Sequence, residues 1–577
     1  MHPQTTPNQL SILRSFAGRQ ILLTGASGFV GKVWLAMILH RVPTVGKIWV
    51  LLRKKALRPA IDRFEKMVAS SPVFRPLHEL HGARMSEFIA SRIEVVEGDV
   101  SLPGLGIEDP ALAERLHRDL DLIFNCAGLV DFDPDLREAV SANVDGAIHV
   151  GEFTARCHHA RLLHVSTCYV TGLRNGTIDE VLDPTTAPNG QKIDVAAELP
   201  DLVASIDTIL AAHDTQDAED KATELAIAQI KAKNQDHTNP MLVRNVQRRF
   251  KRQRLKDDMV AEGLRRAKVW GWPNIYTYTK FMAEAILAAR LPQERFTVFR
   301  PAIVESALEY PFPGWNQGFN TSGPLIYLTQ GWFRHVPARD DNPFDVIPVD
   351  HVCKALTVAS AALLDGIHAP VYQYGSSDAH RLTIGRAVEL TALAHRKHLR
   401  RRGDSAMERV VLARWDTIVS EVDHLLSVRN LRSVTESFSE WLREVRWPKF
   451  LRPSVDDMVK NTDDALDTID TIAKVVDLYQ PFVHDNVFIF VSKALHKHPP
   501  IEPEFHCHPN SIDWRAYWID IHVPGLRKWC FPLFENKTPE SYTPRHPFKL
   551  PRPAAPAQAP AEAPAFSAPS AEARAQV

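Results

Sequence analysis

Between Gln20 and about Arg300, short apolar runs alternate with longer stretches of helical character. The runs fall at 21–23, 48–52, 93–96, 122–124, 162–165 and 296–299, each bounded by polar residues. Several are apolar at every position, as strands of a parallel sheet must be when helices cover both faces. The stretches between them, such as 30–41 and 139–157, are long enough for crossover helices. This rhythm predicts an α/β fold of the Rossmann type, a doubly wound parallel sheet whose ligands sit beyond the carboxyl ends of the strands.

A polar stretch at 177–268 breaks the rhythm. Its charge-rich pieces at 217–233 and 244–256 predict a helical insertion standing over the active-site end. The pattern therefore gives a catalytic domain over 14–380, a mainly helical C-terminal domain over 381–545 and an Ala/Pro-rich tail over 546–577. That tail has little to bury and is expected to be disordered.

The sharpest motif is Thr24-Gly25-Ala26-Ser27-Gly28-Phe29-Val30-Gly31, which follows an apolar strand and opens an apolar helix. Gly25 permits the turn, Gly28 lets backbone approach a pyrophosphate, and Gly31 lets helix and strand pack closely. The helix start then offers N–H groups and a positive dipole end to phosphates.

The second strand ends in Leu52-Arg53-Lys54. An NAD enzyme usually places an acidic residue there for the ribose hydroxyls, whereas a basic one suits the 2′-phosphate of NADPH. Arg53 is the candidate, with Lys54 second; the lysines are also explained as solvated charges. After the third and fourth strands, Asp99, Val100, Ala127 and Gly128 occupy positions that border an adenosine. Asp99 suits the adenine amino group, and it equally suits capping its own loop.

Tyr276 and Lys280 are four residues apart at the start of a predicted helix, so they share a face. A nearby ammonium lowers a phenol's pKa, and a shift of three units takes about 4 kcal/mol. This pairing predicts an acidified phenol as proton donor to a carbonyl. A hydroxyl should lie at the end of the fifth strand, where strand alternation allows only one of Ser166 and Thr167 on the cofactor side. Thr167 is the candidate and Ser166 the fallback. Both hydroxyls could instead satisfy turn backbone.

These pieces together resemble the fatty acyl-CoA reductases, also called the male-sterility family. The likeness runs through Gly98-Asp99-Val100, Asn125-Cys126-Ala127-Gly128, His164-Val165-Ser166-Thr167-Cys168-Tyr169-Val170 and Tyr276-Thr277-Tyr278-Thr279-Lys280. More specific are Arg300-Pro301-Ala302-Ile303-Val304, Pro311-Phe312-Pro313-Gly314-Trp315 and Asp345-Val346-Ile347-Pro348-Val349-Asp350, while Ile512-Asp513-Trp514-Arg515-Ala516-Tyr517 and Ile521-His522-Val523-Pro524-Gly525 resemble the family's C-terminal domain. Cys168 stands where the family often has Ala. The resemblance implies NADPH-dependent reduction of a fatty acyl-CoA, with CoA released and the aldehyde reduced again to a primary alcohol. Thr167 and Tyr276 would stabilise the oxyanion, Lys280 would orient the nicotinamide ribose, and Pro301 and Ile303 would run beside the carboxamide. Two rivals stay open: stopping at the aldehyde or using a carrier-protein thioester, and a nucleotide-sugar epimerase-like or non-catalytic NADP-binding protein.

Composition adds exclusions. The chain has 577 residues, 45% hydrophobic and 24% charged, with a formal net charge of -1. Nothing in that balance favours nucleic acid. Six scattered cysteines without paired spacing suit reduced thiols. Residues 1–18 lack a signal-peptide pattern, and no apolar run nears the roughly 20 residues of a membrane span. A cytoplasmic protein is expected, with peripheral membrane contact compatible with a lipid substrate. The basic run at 244–256 reads as a solvated helix face, its rival role being attraction of CoA phosphates or an anionic membrane. His506-Cys507-His508 reads as a surface loop, since no second cluster stands at ligand spacing.

Overall fold

The computed structural model describes residues 9–552, apart from 56–57, 319–321, 331–332, 403–404, 407–415, 422–423, 425–427 and 446–451. All six expected strands form: β1 (Ile21–Thr24), β2 (Ile48–Leu52), β3 (Ile93–Glu97), β4 (Leu122–Asn125), β5 (Arg161–Val165) and β6 (Phe296–Pro301). A seventh, β7 (Val371–Tyr374), joins them at the edge beside β6. The sheet is parallel throughout, in the order β3-β2-β1-β4-β5-β6-β7. The order reverses between β1 and β4, which opens a crevice at their carboxyl ends.

Alternate residues of each strand feed different cores. Ile21, Leu23, Phe124 and Leu163 join one buried cluster, while Leu22, Ile123 and Leu162 join another. Both faces are therefore covered, and the strands are continuously apolar for that reason. The first cluster holds α1 (Phe29–Arg41), whose Trp34 stacks on Phe124 at 4.0 Å. The second holds α2 (Gly146–Arg156). The stretch expected as one helix at 139–157 is interrupted by a π-helical turn at Val140–Asp145 just before α2.

The insertion is helical: α3 (Val195–His213), α4 (Gln216–Ala232) and α5 (Pro240–Trp270). It packs on α6 (Ile275–Arg290), where the Tyr278 hydroxyl donates to Glu198 at 2.6 Å. On α5 the basic side chains Arg244, Arg248, Arg252 and Lys256 are exposed, while Arg249 and Lys251 turn back to Gln229 and Glu219 of α4.

The C-terminal part is mainly helical, including α7 (Val349–Asp365), α8 (Ile384–Arg402), α9 (Val428–Glu444) and α10 (Arg452–Gln480). Leu390, Tyr517, Trp518 and Leu526 nevertheless belong to the same buried cluster as β1 and α1. The two family-like motifs around Gly314 and Gly525 meet backbone to backbone. A Cβ on Gly525 would lie 2.1 Å from the Gly314 carbonyl oxygen, so neither motif tolerates a side chain at the contact. Cys507, expected in a surface loop, is buried, and its carbonyl accepts from the Tyr374 hydroxyl. The segment expected to be disordered from 546 is anchored over its first residues: Phe548 and Leu550 are buried and Arg552 pairs with Asp62 and Glu65. Residues 553–577 lie outside the described residues. Among the described residues, no helix is long and apolar enough to cross a membrane.

Candidate active site

The glycine turn sits at the crevice. Gly25 has φ +73°, and a Cβ there would lie 2.4 Å from the Cys126 carbonyl oxygen. A Cβ on Gly31 would lie 2.4 Å from the Gly25 carbonyl oxygen. These two glycines thus fasten α1 to β1 and β4. Gly28 differs, since its Cβ would meet only the Gly25 carbonyl at 3.3 Å. Ser27 and Gly28 are exposed, and α1 opens on Gly28 without a side-chain cap. The N–H groups of Phe29 and Val30 begin that helix, the arrangement that receives a phosphate.

Thr24 plays a different part. Its hydroxyl is buried, donates to Asn125 Oδ1 at 2.6 Å and accepts from the Ala127 N–H at 3.2 Å. It braces β1 against β4, and its hydroxyl proton is committed to Asn125. Arg53 lies at the end of β2 with a 70% exposed side chain, 3.8 Å from Asp99 Oδ2. Asp99 Oδ1 accepts from the backbone and hydroxyl of Ser101 at 3.0 and 2.8 Å. The loop-capping role of Asp99 is therefore real, and its second oxygen faces Arg53. The Val100 carbonyl contacts His149 Nδ1 at 3.1 Å, which ties the loop to α2.

The structure brings Thr167, Tyr276 and Lys280 together at the carboxyl ends of β5 and β4. Thr167 follows β5, and its hydroxyl reaches the Tyr276 phenol. Asn274 caps α6 by accepting from the Thr277 N–H at 2.9 Å, which fixes where the helix begins and hence where Tyr276 points. Ser166 is also buried, with a hydroxyl that has no hydrogen-bond partner among the described residues. Pro301 ends β6, and Ile303 follows it in a short strand at Ile303–Glu305, both buried.

Burial pushes the Tyr276 phenol above its ordinary value, offset in part by the Thr167 hydroxyl. Lys280 Nζ donates to the Val165 carbonyl at 2.6 Å and lies 3.5 Å from His164 Nε2. Tyr276 is thus a neutral phenol at ordinary pH, which is the form that donates a proton. Burial lowers Lys280 itself to about 8.

Several participants have no distinctive sequence signal. Asn143 lies in the π-helical turn, accepts from the Leu129 N–H at 2.8 Å and donates to Thr279 Oγ1 at 3.0 Å. Lys32, on α1, is buried with Nζ on Gln317 Oε1 at 2.7 Å, and burial draws its pKa down to about 8. Phe132 accepts the Tyr276 N–H at its carbonyl, 3.2 Å away, and its ring lies 6.3 Å from the Tyr276 ring. Phe132 also contacts Tyr479, 5.9 Å between rings, and packs against a cluster with Val336, Ile384 and Val483. That cluster walls an apolar chamber shared with Ile326, Phe344 and Ala387, of which about 50 Å³ is free.

An uncapped helix start beside exposed glycine suits a dinucleotide pyrophosphate, and an unpartnered hydroxyl at Ser166 marks polar capacity beyond β5. A phenol and a hydroxyl at that place suit proton transfer to a carbonyl. Together they define an oxidoreductase that uses a nicotinamide cofactor. The chain belongs to the male sterility protein family, whose sequence profile matches residues 23–356. It is similar to the alcohol-forming fatty acyl-CoA reductase of Simmondsia chinensis, 26% identical over 537 residues, covering 89% of this chain and 98% of that protein. The probable fatty acyl-CoA reductase 4 of Arabidopsis thaliana is 28% identical over 526 residues, covering 88% and 96%. The fold also matches the terminal R domain of the myxalamid PKS-NRPS biosynthetic pathway, with TM-score 0.50, 17% identity and coverage of 91% and 93%.

Proposed function

We propose that this protein reduces a long-chain fatty acyl-CoA to the primary alcohol at the expense of NADPH, through an aldehyde and with release of CoA. The observation that carries the reading is the apolar surround of the site: Phe132, beside the Tyr276 ring, packs into the cluster whose Val336, Ile384 and Val483 also wall an apolar chamber. A thioester carbonyl held at Tyr276 and Thr167 would place the start of its acyl chain against that apolar surround. The full-length likeness to a protein named as alcohol-forming supports the product.

The bound dinucleotide would be held by the helix start at Phe29 and Val30, by Arg53 and by Lys280, and it supplies hydride. Tyr276 donates its proton to the carbonyl oxygen while Thr167 donates a hydrogen bond to it, so the hemithioacetal forms without a free oxyanion. Collapse breaks the C–S bond. The hydroxyl proton returns to the Tyr276 phenolate and the thiolate leaves, taking a proton from solvent. With a second equivalent of NADPH, Tyr276 then protonates the aldehyde oxygen, and its phenolate regains a proton from solvent. Burial of the phenol favours each return of its proton.

Arg53 is assigned to the 2′-phosphate. Its side chain is largely exposed, so one charge-assisted contact there is worth about a tenfold change in affinity. Arg53→Ala should raise the KM for NADPH about tenfold, with kcat and the KM for NADH nearly unchanged. An unaltered preference for NADPH would remove Arg53 from this role. The substrate class is tested by thiol release from acyl-CoA in the presence of NADPH. No release with any chain length would favour the carrier-protein or epimerase-like alternatives.

A further inference from the structure

We propose that His164 is a positioning residue that biases Lys280 towards its uncharged amine, its ring tautomer being set by a buried hydrogen-bond chain that begins at Thr24. This rests on the assignment of Tyr276 and Lys280 to the reaction. The chain crosses three neighbouring strands, β1, β4 and β5, and its members are Thr24, Asn125, His164 and Lys280, all buried.

The direction of the chain follows from donors and acceptors. Thr24 Oγ1 accepts the Ala127 N–H, so its own proton goes to Asn125 Oδ1 at 2.6 Å. Asn125 is then left with its amide protons towards His164, and Nδ2 donates to Nδ1 at 3.0 Å. An imidazole that accepts at Nδ1 while neutral carries its proton on Nε2. That Nε2–H points at Lys280 Nζ, 3.5 Å away. An amine lone pair can receive it; an ammonium cannot. Thr24, at the glycine turn, therefore acts on Lys280 through two intermediaries.

The other groups facing Lys280 are few. Cys126, from the loop after β4, and Glu284, on its own helix, both favour the ammonium. Glu284 is held by Arg300 at 2.5 and 3.0 Å. The Val165 carbonyl accepts from Nζ in either protonation state. Burial and the Lys280 charge keep His164 itself uncharged. A lysine that holds and releases a proton near neutral pH suits a site in which a phenol must be reprotonated after the second reduction.

The test is the pH at which Lys280 deprotonates, read by competitive acetylation and peptide mass spectrometry on the intact enzyme without cofactor. The alkaline limb of kcat/KM is measured alongside. His164→Leu removes the opposing N–H and should move both upward by about one pH unit, a tenfold change in the neutral fraction. Thr24→Val frees the Asn125 amide to turn and should shift Lys280 in the same direction, whereas Thr24→Ser keeps the wild-type value. If His164→Leu does not fold, the Thr24 pair decides. An unchanged Lys280 in both Thr24→Val and His164→Leu overturns the proposal. A downward shift in His164→Leu also overturns it, because it would mean that His164 accepts from the ammonium. Failure of the site assignment is separate: it would appear as full activity in Lys280→Ala.

Discussion

Tyr276→Phe is expected to lower kcat for acyl-CoA reduction by about 10²–10⁴-fold, the range for loss of a positioned general acid. The substitution removes one oxygen from a half-buried ring, so the fold should survive. The ring stays packed against Phe132, and the α6 cap at Asn274 is untouched. NADPH affinity should change little, because the phenol is placed for the carbonyl and not for the pyrophosphate. Thr167→Val should cost less, since it removes a hydrogen bond and leaves the proton donor in place. Because burial holds the phenol protonated, wild-type activity should show no acidic or neutral limb from Tyr276. Steady-state kinetics and a fluorescence titration of NADPH check these points. A Tyr276→Phe enzyme within tenfold of wild type would assign the proton to another donor, with Ser166 the nearest unpartnered hydroxyl to test.

The second large effect is expected at Gly25. Gly25→Ala places a Cβ 2.4 Å from the Cys126 carbonyl oxygen in a backbone conformation, φ +73°, that L residues rarely adopt. The left-handed conformation and the overlap each cost about 1–3 kcal/mol. Neither neighbour can yield cheaply, because the obstruction is main chain of β4's own continuation. The result should be a clearly lowered unfolding temperature together with lost NADPH binding. Gly28→Ala provides the contrast. Its Cβ would meet one backbone oxygen at 3.3 Å, a contact relieved by a shift of a few tenths of an ångström, so it should lose much less stability than Gly25→Ala while dinucleotide affinity falls. Equal unfolding temperatures for the two variants would contradict the division between a fold-fastening and a ligand-facing glycine.

The strands of the central sheet were legible because parallel strands covered on both faces are apolar at nearly every position. β7 was not, because Val371-Tyr372-Gln373-Tyr374 carries an amide in its middle. Gln373 is buried and donates to the Ile178 and Val491 carbonyls, a long-range satisfaction that no local pattern reveals. The π-helical turn bearing Asn143 was equally invisible, since one extra residue in a helix leaves composition unchanged. Spacing placed Tyr276 and Lys280 on one face, but it could not say that Nζ continues past the phenol to Val165 and His164. Polar members of apolar strands, Asn125 and His164, read only as strand positions until their neighbours across β4 and β5 were known. A change of pattern suggested a boundary at 381, and across it Trp518 and Leu526 are buried in the same core as β1. Sequence pattern reports what an element covers, not which distant element covers it.

The central claim is a two-stage reduction at one site. The most direct measurement is the ratio of NADPH oxidised to CoA thiol released, followed in one reaction across acyl-CoAs of increasing chain length. A ratio near two, with primary alcohol as the product, is what the Tyr276 and Thr167 site with its adjoining apolar chamber predicts. A ratio near one, with aldehyde accumulating at every chain length, would contradict it.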